Sequence, residues 1–327
     1  MLGALRTIST FRRQRYVVQK LVAGVPSDAL TYTRFAALNA EVTPKEILGK
    51  KMQDYILRVF GSPEQFGAFS PAGDFLTVGR ALSQHFLPLV AEGRIAIRPW
   101  ISEIRGRSVR FSDESLEEFD AIIFGTGFGL SMPFLSPAIS SVLDLDAQHA
   151  DLYKFTFHPD LTGLAFLGLW EQTGPYFPPL ELQARWITYV WSGIRPLPPE
   201  EQMNAEIAAY RSTRGESQLQ AMHQMALLFA REANVEPDLT EWPQLARALL
   251  FGPLSAVSFR LSGPDCLQNA GERIAKEAQA LGTVVSPKFS SEEVARLQAL
   301  AAARKDAGRN GSADPRISGS APVKGER

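Results

Sequence analysis

The chain has one cysteine, Cys266, and four histidines, His85, His149, His158 and His223. A single cysteine excludes an intramolecular disulfide and points to a reducing compartment. The histidines stand far apart, without the spacing of a metal site. Excess charge of one sign is also lacking. The formal net charge is −1 at pH 7, so neither nucleic acid nor an anionic membrane surface is an expected partner. No apolar run reaches the roughly 18 residues of a membrane span. The apolar stretch of "MLGALRTISTFRR" is too short before its arginines to read as a secretory signal. Together these absences predict a cytoplasmic protein without membrane or nucleic-acid partners.

What is present is a globular composition. The 327 residues are 45% hydrophobic and 21% charged, enough for one large domain or two with a substantial core. Residues 4–10 read as a short strand running into Arg12, Arg13 and Arg15. Residues 16–60 have irregular helical periodicity, and 62–74 form a loop rich in Pro and Gly. Residues 75–93 read as a helical segment that Pro88 breaks or restarts. A strand at 94–100 is followed by three more in "ISEIRG", "RSVRFSD" and "EEFDAIIFG", separated by tight turns. Residues 163–170, "GLAFLGLW", read as a buried strand. Residues 178–193 read as a helix with Leu182, Trp186, Tyr189 and Val190 on one face and Gly193 at its end. From 197 to about 305 the pattern is mostly helical. The polar Gly-, Ser- and Pro-rich segment 305–327 reads as a disordered tail.

The stretch with most chemical content is "DAIIFGTGFGLSMPF", residues 120–134. A dinucleotide-binding turn needs a strand, G-x-G-x-x-G, and a helix whose N-terminus meets the pyrophosphate. Residues 121–124 supply a strand, Gly125 and Gly127 supply two glycines, and Asp144 stands near the spacing of a ribose-binding acid. The third glycine position is Leu130, and Pro133 and Pro137 fall where the helix should be. The phosphate turn is therefore rejected. A glycine loop that lets backbone approach a ligand remains, beside a plain loop after a core strand.

The wider pattern is Asp120, three residues, Phe124-Gly125-Thr126-Gly127-Phe128, four residues, Pro133. It resembles the D-x3-[LF]-A-T-G-Y-x4-[HP] signature of flavin-containing monooxygenases, with Gly125 in place of alanine and Phe128 in place of tyrosine. Residues 152–193, which contain "ELQARW", resemble the last flavin-contacting segment of that family. Residues 9–24, 70–120 and 249–265 resemble further parts of it, so the likeness covers about residues 5–275.

The resemblance implies an α/β fold: an incomplete two-dinucleotide-binding-domain, Rossmann-like FAD/NAD(P) flavoprotein with a C-terminal helical region. Residues 1–124 would be the remainder of the NADPH domain with its hairpin crossover. Residues 125–200 would be the C-terminal part of the FAD domain, and 201–304 the helical region. Both G-x-G-x-x-G turns of the family are missing, as is its substrate-gating fingerprint. The expectation is an N-terminally truncated relative: an incomplete gene, a misplaced start or a degenerate copy.

The implied activity is that of an oxidoreductase with FAD and NADPH as cofactors. NADPH reduces FAD, and a C4a-hydroperoxyflavin then oxygenates a soft nitrogen or sulfur nucleophile. The cofactor carries the difficult chemistry, which fits the lack of an acid–base dyad or nucleophile triad. The implied cofactor-binding residues are Gly125, Thr126, Gly127, Phe128, Gln172, Pro175, Gln183, Arg12 and Arg13. Guanidinium forks bind phosphate bidentately, so Arg12 and Arg13 suit the 2′-phosphate of NADPH; a solvated basic cluster suits them equally. Gln172 and Gln183 could meet the flavin's polar edge, and Gln183 could instead face solvent on its helix. Pro175, Tyr176 and Phe177 fit either a ring-packing wall or an ordinary turn with core aromatics. His158 reads as a turn residue, and Trp186 and Trp191 as core. Three other readings stay open. One is a non-catalytic or split-enzyme subunit whose partner chain supplies the missing half. Another is a Baeyer–Villiger-type monooxygenase fragment acting on a ketone. The last is a helical interaction protein built on 197–305.

Overall fold

The computed structural model describes residues 3–213, 219–282 and 286–309. The chain divides into two compact units: residues 1–27 with 43–127, and residues 28–42 with 128–327.

In the first unit, strands Ile8–Thr10 (β1) and Tyr16–Val18 (β2) precede helix Lys45–Phe60 (α1), strands Arg80–Leu82 (β3) and Ala96–Arg98 (β4), and a meander of Ile101–Arg105 (β5), Ser108–Phe111 (β6) and Leu116–Glu118 (β7). β1 pairs in parallel with β4, and β2 with β3. β5, β6 and β7 form one antiparallel sheet. Val109 and Phe111 of β6 alternate with half-buried neighbours and are themselves buried, the period-two pattern of a half-covered sheet. α1 starts after Pro44, carries Glu46 in its first turn and Arg58 in its last, and so opposes its own dipole at both ends. It turns Ile56 and Phe60 toward Tyr16, Val18 and Val78, a small core of its own.

The expected helical segment 75–93 is in fact three pieces. Phe75–Val78 is a single turn, capped by the Asp74 carboxylate, which accepts the Thr77 N–H at 2.8 Å. Then comes β3, drawn into extended form by β2. A second helix, Phe86–Ala91, holds Pro88 at its third position, where a missing N–H costs nothing. The Pro/Gly-rich loop 62–74 contains a short 3-10 turn, Pro63–Phe66.

The second unit is mainly helical. Its elements include the short helix Arg34–Ala40, Phe177–Trp191 (α2), Glu200–Thr213 (α3), Met222–Glu232 (α4) and Ser291–Arg309 (α5). The α2 face foreseen from the sequence is its core face: Leu182, Trp186 and Tyr189 are buried in one cluster with Phe229, Ala226 and Ala230 of α4. Trp186 meets Phe157 edge-on at 5.0 Å between ring centroids, and Phe229 at 6.1 Å. Full burial of a side chain the size of Leu182 contributes about 2 kcal/mol.

Three sequence expectations fail in this unit. Residues 163–170 form no strand; no ladder partner runs beside them among the described residues, and they are held by isolated hydrogen bonds such as Phe166 N–H to Thr156 O at 2.8 Å. Trp191 is 61% exposed, not core, because it sits in the last turn of α2 off the Leu182–Trp186 stripe. α5 continues to Arg309, past the expected start of the disordered tail; residues 310–327 lie outside the described residues.

The result is a mixed helix and strand fold. Parallel pairing occurs as three separate two-stranded ladders among the described residues, the third being Gln172–Thr173 with Gln220–Ala221. No helix among the described residues is long and apolar enough to cross a membrane.

Candidate functional site

Two segments concentrate the candidate residues, and they are built in opposite ways. The first is the glycine loop. The ladder ends at Glu118, and Phe119 N–H still reaches Arg107 O at 3.0 Å. Asp120 is ion-paired with Arg107. From there residues 121–130 carry no regular structure. The strand expected at 121–124 is therefore absent. An apolar run becomes a strand only beside a backbone partner, and none pairs with it among the described residues. Ile123 is 95% and Phe128 108% exposed. Gly127 has φ +98°, a conformation side-chain-bearing residues resist, and a Cβ on Gly125 or Gly127 would meet nothing within 4 Å. The next backbone anchor is Leu130 N–H to Ala147 O at 2.7 Å. The division between the two units falls inside this loop, between Gly127 and Phe128.

Arg12 and Arg13 follow β1, as the sequence indicated, and both are exposed. The Arg12 guanidinium lies 5.3 Å from the Trp100 ring centroid.

The second segment is the turn that leads into α2. Gln172 is buried and fastens it from inside. Its Oε1 accepts from Trp170 Nε1 at 2.9 Å, and its Nε2 donates to Pro175 O at 2.6 Å. Its backbone N–H donates to the Tyr176 hydroxyl at 2.9 Å. Tyr176 stacks on Trp170 with centroids 6.2 Å apart. Pro175 is half-buried, while Phe177 stands exposed at the start of the helix. Gly174 has φ +94°, and a Cβ there would lie 2.7 Å from the Tyr32 ring.

Gln183 does not face solvent; it is wholly buried. Its Nε2 donates to Phe155 O at 3.1 Å, Thr156 Oγ1 at 2.7 Å and Phe166 O at 2.9 Å, and its Oε1 accepts Gly168 N–H at 2.8 Å. One amide thus ties α2 to both arms of the segment 155–168. That segment needs tying: Lys154 and Phe155 both hold positive φ, +46° and +58°. Lys154 is also ion-paired with Glu232 and lies 3.9 Å from Glu206.

Sequence reasoning missed a third group on the same helix. Arg185 is buried and donates from Nη1 to Phe259 O at 2.8 Å and from Nη2 to Asp265 at 2.6 Å. Tyr189 donates to the same carboxylate, and Arg260 bridges Asp265 and Glu181. Burial pushes the Asp265 carboxyl up, but hydrogen bonds from Tyr189 and Arg185 and the two guanidinium charges outweigh it and hold it below the usual range. Burial raises the Tyr189 phenol, and its bond to Asp265 adds to that. The four-residue spacing of Glu181, Arg185 and Tyr189 was a legible signal; the partner eighty positions on was not. His158 is the turn residue foreseen, its Nδ1 accepting Asp160 N–H at 3.2 Å. Among the described residues no group of three His, Cys, Asp or Glu side chains is arranged to hold a metal ion.

Comparison with known proteins bears on this arrangement. A family model described as flavin-binding monooxygenase-like matches residues 4–299. Dimethylaniline monooxygenase (N-oxide-forming) 2 of Oryctolagus cuniculus is 31% identical over 290 residues, which are 84% of this chain and 53% of that protein. Flavin-containing monooxygenase 2 of Homo sapiens is 31% identical over 273 residues, 79% of this chain and 50% of that protein. The chain spans about half the length of these curated relatives. Among solved structures, S-allyl-L-cysteine S-oxygenase from Allium sativum shares 20% identity over 68% of this chain and 40% of that one, with a TM-score of 0.33, too low to bear on the fold.

Proposed function

Because the chain belongs to the flavin-binding monooxygenase-like family, we propose that it works as part of a flavin-dependent monooxygenase with FAD and NADPH as cofactors and a soft nitrogen or sulfur nucleophile as substrate. The observation that carries the reading is the turn Gln172–Tyr176, which is fastened by hydrogen bonds and stacking within the protein itself. Preorganisation of this kind lets a site bind a large planar group without reordering itself. The glycine loop fits the same role differently: open space beside Gly125 and Gly127 leaves backbone N–H and C=O accessible at close range.

The proposal gives each residue a task. Gly125, Thr126, Gly127 and Phe128 line the approach of the cofactor. Gln172 holds Pro175 and Tyr176 in place against the flavin edge. Gln183 is wholly buried and fixes the segment that leads into that turn, its amide N–H groups already engaged by Phe155 O, Thr156 Oγ1 and Phe166 O. Arg12 and Arg13, both exposed, are suited to the 2′-phosphate of NADPH. When bound, FAD supplies hydride acceptance from NADPH and activation of dioxygen. The FAD pyrophosphate needs a glycine turn, and no G-x-G-x-x-G occurs in the 327 residues. The reading therefore takes that turn from another stretch of polypeptide.

The test uses two samples: the chain alone, and the chain fused to the part of the Oryctolagus cuniculus relative that this chain does not cover. The assay reaction is N,N-dimethylaniline, O2, NADPH and a proton giving the N-oxide, NADP+ and water. The chain alone is expected to retain little FAD on purification. The fusion is expected to hold FAD and form the N-oxide. A fusion that folds and holds FAD but transfers no oxygen to amine or sulfide would overturn the reading.

A further inference from the structure

At the far end of α2, Val190 and Trp191 join segment 157–164 and the start of α3 around an open cavity of about 430 Å³. That size lies within the roughly 300–1,000 Å³ of small-molecule sites. Phe157, Leu161, Leu164, Val190, Leu197 and Met203 make its wall apolar. Trp191 contributes an indole that is 61% exposed although it borders the cavity. An indole face attracts cations through its quadrupole. The lining carries one formal charge, the Glu200 carboxylate, and no lysine or arginine. The remaining titratable group, His158, is nearly buried in side chain, and its Nδ1 is occupied by the Asp160 N–H. Burial holds its imidazole below the ordinary range, an effect that Asp160 and Asp151 only partly offset and that Arg211 reinforces, so burial favours its neutral form.

We propose that this cavity binds a small hydrophobic organic cation, a tertiary or quaternary ammonium compound whose apolar body covers the wall and whose charge is met by the Trp191 ring and the Glu200 carboxylate. An anion would face Glu200 without a counter-charge. A neutral apolar molecule would leave both the carboxylate and the indole face unused. The site is distinct from the turn at Gln172–Tyr176. Thirteen residues of helix separate Phe177 from Val190, about 20 Å at 1.5 Å per residue. A ligand here is too far from that turn to be the group oxidised there, and its binding needs neither FAD nor the reading given above.

Isothermal titration calorimetry of the full chain with benzyltrimethylammonium, without flavin, tests it. The uncharged isostere neopentylbenzene is the comparison, and Glu200→Gln and Trp191→Leu are the variants. Both side chains are exposed, so both variants should fold; circular dichroism and thermal melting check this, because a carboxylate in the first turn of α3 also favours the helix. The expected result is saturable binding of the cation, weakened about two- to fivefold by each variant, as an exposed cation–π or ion-pair contact predicts. The neutral isostere should bind more weakly than the cation. Equal binding of the isostere, unchanged binding in both folded variants, or no binding of the cation would each overturn the proposal.

Discussion

The glycine loop 121–130 and the turn 172–177 come from similar sequence. Each is short, glycine-bearing and aromatic; the loop opens on an apolar run, and the turn follows one. The turn is fastened from within: the Gln172 side chain holds Trp170 Nε1 and Pro175 O, the Tyr176 hydroxyl accepts the Gln172 N–H, and Gly174 leaves no room for a side chain. Among the described residues the loop is fastened at its ends, by Arg107 at one and Ala147 at the other. The difference lies in what surrounds them. The turn is backed by the continuous core of the second unit, where Trp170 packs against Phe229 at 5.3 Å. The loop has no comparable backing, and its apolar side chains Ile123, Phe124 and Phe128 lie in the open. Glycine in the turn is thus a packing requirement, whereas glycine in the loop keeps space clear.

If that contrast is right, substitutions around the turn cost folding, and substitutions in the loop cost binding. The largest effect is expected from Gln183→Leu. Leucine fills the volume but leaves Phe155 O, Phe166 O and Gly168 N–H without the partner they now share, each a buried polar group that is expensive to strand. A loss of about 3 kcal/mol in urea unfolding is expected, with faster hydrogen exchange at Gly168. A stability within experimental error of the parent would mean that the segment 155–168 is held by something else.

Next comes Gly174→Ala. The methyl group would sit 2.7 Å from the Tyr32 ring and 3.0 Å from the rigid Cβ of Met222, at a φ of +94° that alanine resists. Overpacking and backbone strain together predict a loss of about 2 kcal/mol. Thermal melting checks it, and a parent-like midpoint would show that the turn is softer than its contacts indicate.

How much of this was legible follows the same line between local and non-local causes. Helix 177–191 could be read because Leu182, Trp186 and Tyr189 recur at helical spacing and Gly193 follows. The antiparallel strands at 101–118 could be read from alternation. Residues 121–124 and 163–170 misled because an apolar run records burial or contact, not the presence of a neighbouring backbone. Gln183 misled for a related reason. A glutamine on a helix reads as a solvent-facing residue, and its four partners are 15 to 28 positions away, in a segment with no regular structure. The Arg185–Asp265 pair was half visible: the helix positions were spaced for contact, but the carboxylate lies eighty residues on.

The smallest effect on folding is the sharpest test of the loop. Gly125→Ala introduces a methyl group with nothing within 4 Å, so its unfolding midpoint should match the parent to within about 0.5 kcal/mol. Gly129→Ala should be equally mild, since its Cβ would stand 3.6 Å from Ala147 O, an ordinary contact. Gly127→Val differs from both in backbone and not in space: φ +98° opposes a β-branched residue, at a cost of about 1 kcal/mol that an exposed loop can relieve by shifting. All three variants should therefore fold. Flavin content and the rate of NADPH-driven flavin reduction in the fused enzyme then separate them. Gly127→Val is expected to lose flavin or slow its reduction, Gly125→Ala to show a smaller loss because its methyl group intrudes only on a bound ligand, and Gly129→Ala to behave as parent. If Gly127→Val holds and reduces flavin like the parent, the loop's open backbone serves no cofactor, and the contrast with the turn reduces to a difference in packing.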